Sequence, residues 1–207
     1  MKLSERLTWF KKPTHTKTVS FKAPVKIEWY KDGELNASIN CLDRHLSKKS
    51  QDIAYIFEPD GLEQKTYKVT YQELYDQVNI AANVLKKMGV KKGDRVTIYM
   101  PMIIESVVAL LACARIGAVH SVVFGGFAPN SISDRILDCE SEFVITADEG
   151  RRGGKTIPLK ANVDKALEKT PQVKKVLVFQ NTKNKINMNP ERDIWFHDFA
   201  TQVEAYC

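Results

Sequence analysis

The stretch RVTIYMPMIIESVVALLACARIGAVHSVVF, residues 95–124, decides the fold of this chain. Residues 95–100 predict a buried strand, and the proline that follows suits the first turn of a helix. Residues 103–116 are apolar nearly all round, which is typical of a helix buried between two layers, and Gly117 ends it. Residues 118–124 predict a second strand. A strand, a crossing helix and a second strand predict a parallel pair.

The same alternation extends along the chain on both sides of this stretch. Residues 52–59 and 64–70 predict a hairpin around Asp60-Gly61, and Thr70 with Glu73 predicts a capping box for the helix that follows. Further elements are predicted at residues 131–139 (helix), 142–148 (strand), 162–170 (helix) and 174–180 (strand). The pattern predicts an α/β fold with a largely parallel sheet and helices on its faces.

Residues 1–50 do not share this alternation and are interpreted as an N-terminal extension, with residues 51–207 as the α/β part. The extension is predicted to contain a short helix around Trp9 and Phe10, and then an irregular stretch with two prolines. Residues 33–46 predict a further helix with one apolar face. That face carries Leu35, Ile39, Leu42 and Leu46.

Composition narrows the class of protein. The chain has 207 residues with 43% hydrophobic content, enough to bury a core. Its longest apolar run contains Glu105 and Arg115, so no membrane span is expected, and the first residues lack the apolar stretch of a secretory signal. The four cysteines show no C-x-x-C spacing. We expect a cytoplasmic protein with reduced thiols and no metal site.

The net charge of +6 is divided unevenly along the chain. Residues 1–31 and residues 151–175 each carry eight Lys or Arg against two Asp or Glu, so the remainder is acidic. The basic segments are not interleaved with stacking aromatic residues, and the three tryptophans are widely separated. A nucleic-acid partner is therefore not expected.

A second segment, ADEGRRGGKTIPLK (residues 147–160), has the composition of a phosphate-binding loop. It is not a P-loop, because only three residues separate Gly150 from Gly154 and because Pro158 disfavours a helix that starts at Lys155. Arginine binds phosphate through two hydrogen bonds, and glycine lets a backbone approach closely. From the residues alone, an anion-binding loop and a solvated basic turn both remain open.

Several polar residues invite a catalytic interpretation. Asp43-Arg44-His45 is more typical of a helix cap or a packing ion pair, since no nucleophile accompanies it. His120 is expected to be a hydrogen-bonded core imidazole. Asp148 and Glu149 are expected to neutralise the neighbouring arginines.

Three segments in this order resemble the acetyl-CoA synthetases, a family of the adenylate-forming superfamily of acyl-CoA synthetases and luciferases. They are WYKDGELNASINCLDRHL (residues 29–46), HSVVFGGF (residues 120–127) and ITADEGRRGGKTIPLK (residues 145–160). The resemblance runs from about residue 21 to residue 170. It implies that residues 51–207 are the first part of the large AMP-binding domain.

The resemblance also implies a chemistry. The family activates acetate with MgATP to acetyl-adenylate and diphosphate, and then transfers the acetyl group to coenzyme A with release of AMP. The segment matching Arg152, Gly153, Gly154 and Lys155 lies against the nucleotide end of CoA, so Arg152 and Lys155 would contact its phosphates. Phe124-Gly125-Gly126 would pack against the CoA adenine, and Ile157 would add an apolar contact.

The chain departs from the family in length. It lacks the Ser/Thr/Gly-rich ATP loop, the aromatic-Thr-Glu segment and the C-terminal domain with its lysine, so no catalytic residue, ATP site, Mg²⁺ site or other metal site is expected within it. We expect an N-terminal part of a longer enzyme, inactive alone, whose partners are acetate, ATP, CoA and the rest of its own polypeptide. A propionyl- or acetoacetyl-CoA synthetase and a non-catalytic CoA- or nucleotide-binding module are the alternatives.

Overall fold

The alternation of strands and helices is present in the computed structural model, which describes residues 3–61 and 65–207. The strands are β1 (Lys17–Ser20), β2 (Lys26–Trp29), β3 (Ile53–Phe57), β4 (Tyr67–Thr70), β5 (Arg95–Met100), β6 (Val119–Phe124), β7 (Phe143–Ala147), β8 (Gly150–Arg152), β9 (Lys155–Ile157), β10 (Lys175–Phe179) and β11 (Asp193–Trp195). The helices are α1 (Ala37–Cys41), α2 (Asp43–Lys49), α3 (Tyr71–Lys87), α4 (Ile104–Ile116), α5 (Pro129–Asp138), α6 (Leu159–Leu167) and α7 (Phe196–Ala200), preceded by a 3-10 turn at Ser4–Arg6.

Five strands form one sheet in the order β11-β10-β7-β5-β6, and every neighbouring pair is parallel. The predicted α/β class is confirmed. The inner strands β5 and β7 are almost completely buried, as expected for a parallel sheet covered on both faces. Helices α3, α4 and α7 contact one another or the sheet as one layer, and α5 and α6 pack together as the other. None of the described helices is long and apolar enough to cross a membrane.

Helix α3 begins at the capping box that its sequence predicts. The side chain of Thr70 accepts from the backbone N–H of Glu73, and the Glu73 carboxylate accepts from the backbone N–H of Thr70, which completes a capping box. The preceding strands β3 and β4 pair antiparallel, so the predicted hairpin is also confirmed. Part of its connection, residues 62–64, lies outside the described residues.

The extension differs from its prediction in two places. Trp9 and Phe10 follow a 3-10 turn instead of lying in a helix, and the stretch predicted to be irregular contains the antiparallel hairpin β1–β2. These strands are mostly exposed, so no alternation of apolar and polar residues marks them. The single helix predicted over residues 33–46 is divided at Leu42, whose φ and ψ of −120° and −71° end α1 before α2 starts.

Polar contacts attach the extension to helix α4. The Oδ1 atom of Asn36 accepts from backbone N–H groups at the start of α1, while its Nδ2 atom donates to the carbonyl oxygens of Ala114 and Arg115 at the end of α4. Asp43 pairs with the buried guanidinium of Arg115 at 2.5 Å. The expectation that Asp43 belongs to a packing ion pair is therefore confirmed.

His120 does not lie in the core, and that prediction is wrong. It is exposed on β6, which is an edge strand of the sheet in the described part of the chain. Val119, Val122 and Phe124 on the same strand are each about half exposed, at 55%, 54% and 47%. The sequence of β6 predicts a buried strand because its apolar content resembles that of β5. In the structure, the described residues bury only part of the β6 surface.

A buried ion-pair network joins α6 to β11. The ammonium group of Lys160 is 2.7 Å from carboxylate oxygens of both Asp164 and Asp193, and Arg192 approaches Asp193 at 2.7 Å. Burial opposes the ionisation of Asp193, but hydrogen bonds from Arg192 and Lys160 outweigh it and lower the pKa of this carboxyl. The network fixes the polar loop before β11 against the start of α6.

Candidate functional site

The candidate site is a cavity of about 490 Å³ beyond the carboxyl ends of β5, β6 and β7. Parallel strands end at the same edge of a sheet, and ligands of α/β proteins bind there. The cavity volume lies in the range of small-molecule sites. Its lining comes from residues 101–103 after β5, 122–126 at the end of β6 and 150–152 after β7, with contributions from Asp60, Ile157 and Asn181.

The basic segment forms a hairpin, where the sequence predicted a loop. Strands β8 and β9 pair antiparallel, with Arg152 opposite Lys155, and helix α6 starts only after Pro158. Gly153 and Gly154 form the two-residue turn with φ of +56° and +73°. Both central residues of such a turn need positive φ, which glycine adopts without steric cost.

Arg152 connects the hairpin to the turn after β6. Its guanidinium lies 4.8 Å from the centre of the Phe124 ring, a cation–π contact. A Cβ added at Gly126 would lie 3.0 Å from the Nη1 atom of Arg152. The structure therefore brings Arg152 and Phe124-Gly125-Gly126 together, although 26 to 28 residues of sequence separate them.

The turn after β6 requires a glycine at position 125. A Cβ there would lie 2.7 Å from the backbone carbonyl oxygen of Met100, which has no freedom to move within β5. Tyr99 supports the same turn, because its hydroxyl donates to the carbonyl oxygen of Phe127 at 2.9 Å. Asn162 of α6 in turn donates to that hydroxyl at 3.2 Å. The aromatic edge of the cavity is thus held by β5 and α6.

The other residues predicted for the site lie around the same hairpin. Lys155 is exposed, and as the cross-strand partner of Arg152 it projects from the same face of the hairpin. Ile157 is half-buried and lines the cavity. Gly153 and Gly154 are exposed at the tip. Arg151 and Arg152 place two positive charges in the lining of the cavity, and Lys155 lies beside Arg152 on the hairpin without lining it.

Asp148 and Glu149 do not neutralise the arginines, so that prediction is wrong. Asp148 is fully buried and accepts from the backbone N–H groups of Asn181, Thr182 and Lys183, at 2.9 to 3.2 Å. Glu149 accepts from the Thr182 hydroxyl at 2.8 Å. Both carboxylates turn toward the segment after β10, because that strand is the hydrogen-bonded neighbour of β7.

A third carboxylate, which sequence analysis missed, contacts the hairpin. Asp60 accepts from the backbone N–H groups of Gly153 and Gly154, each at 3.0 Å. It lies 93 residues earlier in the chain, and no local pattern marks it. Asn181 was also missed, although its position two residues after β10 is a signal, since residues that follow parallel strands share one edge of the sheet.

A second cavity of about 510 Å³ lies between α3, α4, β4 and α7. Among the described residues that line it are Glu105 and His197, but no lysine or arginine. Such a lining supplies no lysine or arginine side chain to bind a phosphate group. We therefore place the candidate site at the hairpin. Within the described ranges, no group of three His, Cys, Asp or Glu side chains could hold a metal ion.

Comparison with known proteins identifies the family of this chain. The family model for AMP-binding enzymes matches residues 42–201, and that for the acetyl-coenzyme A synthetase N-terminus matches residues 1–41. The chain is 56% identical to an acetyl-coenzyme A synthetase of Xanthomonas campestris and 58% identical to one of Xylella fastidiosa. Each match covers 100% of this chain and 32% of the relative.

A solved structure shows the same fold. The acetoacetyl-CoA synthetase from Streptomyces lividans superposes with a TM-score of 0.83 at 24% identity, over 96% of this chain and 29% of that one. The chain thus spans about a third of the length of the curated relatives it matches. It belongs to the AMP-binding enzyme family and is similar, along its whole length, to acetyl-coenzyme A synthetases.

Proposed function

We propose that this chain is the N-terminal third of a cytoplasmic, AMP-forming acetate–CoA ligase. The whole enzyme would convert acetate, CoA and the magnesium complex of ATP to acetyl-CoA, AMP and diphosphate through an acetyl-adenylate. The hairpin β8–β9 would bind the phosphate groups of CoA. The observation that carries this assignment is the contact of Arg152 with Phe124 and Gly126, which unites both glycine-bearing segments at one cavity.

The chemistry of the hairpin suits the nucleotide end of CoA. Arg152 and Lys155 project from one face and supply charge-assisted hydrogen bonds, which are the stronger kind for phosphate. The Phe124 ring is 47% exposed beside the guanidinium, so an adenine can stack on it or on the guanidinium plane. Ile157 and the β5–β6 end supply apolar surface. Adenylation itself would use parts of the polypeptide beyond this chain.

The test is a calorimetric titration of CoA and of 3′-dephospho-CoA into the full-length protein and its Arg152→Ala variant. Loss of one charge-assisted phosphate contact costs about 1.5–3 kcal/mol, which corresponds to about one to two decades in Kd. Arg135→Ala is the matched control, because Arg135 is exposed on α5 and is not part of the cavity lining.

We expect Arg152→Ala to weaken CoA by that amount and Arg135→Ala to leave it unchanged. If dephospho-CoA is barely affected by Arg152→Ala, the guanidinium contacts the 3′-phosphate; if both ligands weaken equally, it contacts the diphosphate. Unchanged binding of both ligands would reduce the hairpin to a solvated basic turn and refute the site.

A further inference from the structure

The hydroxyl group of Tyr99 connects helix α6 to the turn after β6. Tyr99 is fully buried near the end of β5, and burial raises the pKa of its hydroxyl, which therefore keeps its proton. This hydroxyl donates to the carbonyl oxygen of Phe127 at 2.9 Å and accepts from the Nδ2 atom of Asn162 at 3.2 Å. Because a phenol has a single proton, the amide donor on one side directs that proton to the carbonyl on the other.

The carbonyl that receives this proton belongs to the turn that holds the aromatic edge of the cavity. The backbone N–H of Phe127 donates to the carbonyl oxygen of Phe124 at 2.9 Å, which closes residues 124–127 into a turn. The two phenylalanine rings pack edge to face, with 5.6 Å between their centres, and the guanidinium of Arg152 lies over the Phe124 ring. Tyr99 thus fixes the end of the turn opposite to the ring that contacts Arg152.

The segment after β7 therefore contacts this turn at two points. One point is the direct contact of Arg152 in β8 with Phe124. The other is Asn162 in α6, which reaches Phe127 through the Tyr99 hydroxyl. One contact alone leaves the turn able to pivot about it, whereas two contacts fix the orientation of the Phe124 ring. Without the hydroxyl, the Phe127 carbonyl can bond to water instead, because Phe127 is 43% exposed.

Tyr99 and Asn162 are not among the residues that line the cavity, so neither is placed to contact a ligand there. Resting on the proposed function, we propose that Tyr99 and Asn162 are positioning residues, which hold Phe124-Gly125-Gly126 in the orientation that receives the adenine of CoA. An apparent Kd rises by the inverse of the fraction of protein in the competent state. Loss of one ordinary hydrogen bond changes such an equilibrium by about threefold to tenfold.

The experiment compares the full-length protein with its Tyr99→Phe variant, which keeps the ring and removes only the hydroxyl. We expect the KM for CoA to rise about threefold to tenfold, with kcat and the KM values for ATP and acetate changed by less than about twofold. Acetate-dependent exchange of diphosphate with ATP reports adenylation without CoA, and it should be unchanged. Tyr55→Phe is the matched control, because Tyr55 is exposed on β3 and does not line the cavity.

Asn162 supplies a second variant that tests the direction of the proton. An ionised carboxylate only accepts hydrogen bonds, so Asn162→Asp draws the Tyr99 proton away from the Phe127 carbonyl. We expect Asn162→Asp to raise the KM for CoA as much as Tyr99→Phe does, and Asn162→Ala to raise it less. Combining Asn162→Asp with Tyr99→Phe should raise it no further, since both changes act through one hydroxyl.

An unchanged KM for CoA in both Tyr99→Phe and Asn162→Asp would overturn the inference, and so would a parallel loss of diphosphate exchange, which indicates a general defect of the fold. A rise in Tyr99→Phe alone would remove Asn162 from the role. These outcomes are separate from that of Arg152→Ala. If Arg152→Ala weakens CoA and Tyr99→Phe does not, the proposed function stands and the positioning role fails. If only Tyr99→Phe weakens CoA, the turn after β6 remains the contact and the hairpin is removed from the site.

Discussion

Asp148 is predicted to be the polar side chain on which this edge of the sheet depends most. Its carboxylate accepts from the backbone N–H groups of Asn181, Thr182 and Lys183 at 2.9 to 3.2 Å, and from that of Glu149 at 2.6 Å. Asp148→Ala removes the acceptor from all four amides at once. An amide left unsatisfied in a buried place costs about 1–3 kcal/mol.

These amides are partly reached by solvent, so the lower end of that range applies to each. The sum is a loss of about 3–4 kcal/mol in the free energy of unfolding, a large share of the about 5–15 kcal/mol typical of a folded protein. Urea unfolding of the 207-residue chain, followed by circular dichroism and tryptophan fluorescence, measures this loss. Asp148→Asn keeps one acceptor oxygen and is expected to lose less.

Glu149→Ala is the matched control, because the neighbouring carboxylate accepts from the side chains of Thr182 and Asn184 and from no backbone amide. We expect it to cost about 1 kcal/mol, the value of an ordinary hydrogen bond. Hydrogen exchange gives an independent readout, since the amides of residues 181–183 should lose protection in Asp148→Ala only. A loss below about 1 kcal/mol for Asp148→Ala, with an unchanged dependence on urea, would refute the reasoning.

Three further predictions concern stability. Asp43→Ala leaves the buried guanidinium of Arg115 without its carboxylate partner. Since Asp43 is itself partly exposed, we expect the free energy of unfolding, measured in urea, to fall by about 2 kcal/mol. An unchanged free energy of unfolding would show that the ion pair does not stabilise the fold. Gly125→Ala forces a Cβ against the carbonyl oxygen of Met100, so it should lower the melting temperature and cost about 1–3 kcal/mol, whereas a stable variant would disprove that close approach. Burial opposes the ionisation of Asp193, but its cationic neighbours outweigh burial and lower the pKa of this carboxyl. Its contribution to the free energy of unfolding is therefore present above the unfolded pKa of about 3.9 and is lost as the pH falls through the folded pKa. Urea midpoints measured between about pH 3 and 7 should fall less steeply toward low pH in Asp193→Asn than in the unchanged protein.

The parallel sheet could be predicted because its signals are local. Residues 103–116 are apolar nearly all round and are flanked by a proline and a glycine, so the helix and both neighbouring strands follow from spacing alone. The capping box at Thr70 and Glu73 is likewise complete within four residues. A local pattern of this kind predicts its helix or strand without knowledge of distant contacts.

The extension could not be predicted as well, because its strands are not defined by burial. Strands β1 and β2 expose nearly every residue, so they show no period of two. Helix α1 is attached to α4 by Asn36, which caps α1 while its Nδ2 atom donates to carbonyl oxygens 78 and 79 residues later in the chain. A contact of that range has no signature in the local sequence.

The candidate site could be predicted only in part, because long-range contacts form the rest of it. Its basic residues and glycines stand out by composition, but the hairpin shape depends on the pairing of Arg151 with Thr156 and of Arg152 with Lys155. The roles of Asp60 and Asp148 depend on which strands become neighbours. Acidic residues next to arginines in the sequence suggest ion pairs between them. In the structure, Asp148 instead accepts hydrogen bonds from backbone amides after β10, which the sheet places beside β7.

The edge strand β6 has a consequence for how this protein is made. Residues 95–195 are enough to complete the five strands, so the sheet can form during translation, soon after residue 195 has left the ribosome. From that moment β6 offers unpaired backbone groups beside the half-exposed Val119 and Val122, which is the arrangement through which nascent chains join edge to edge. Molecular chaperones that bind short apolar strands would therefore find their target at β6, an edge of the sheet in the described part of the chain.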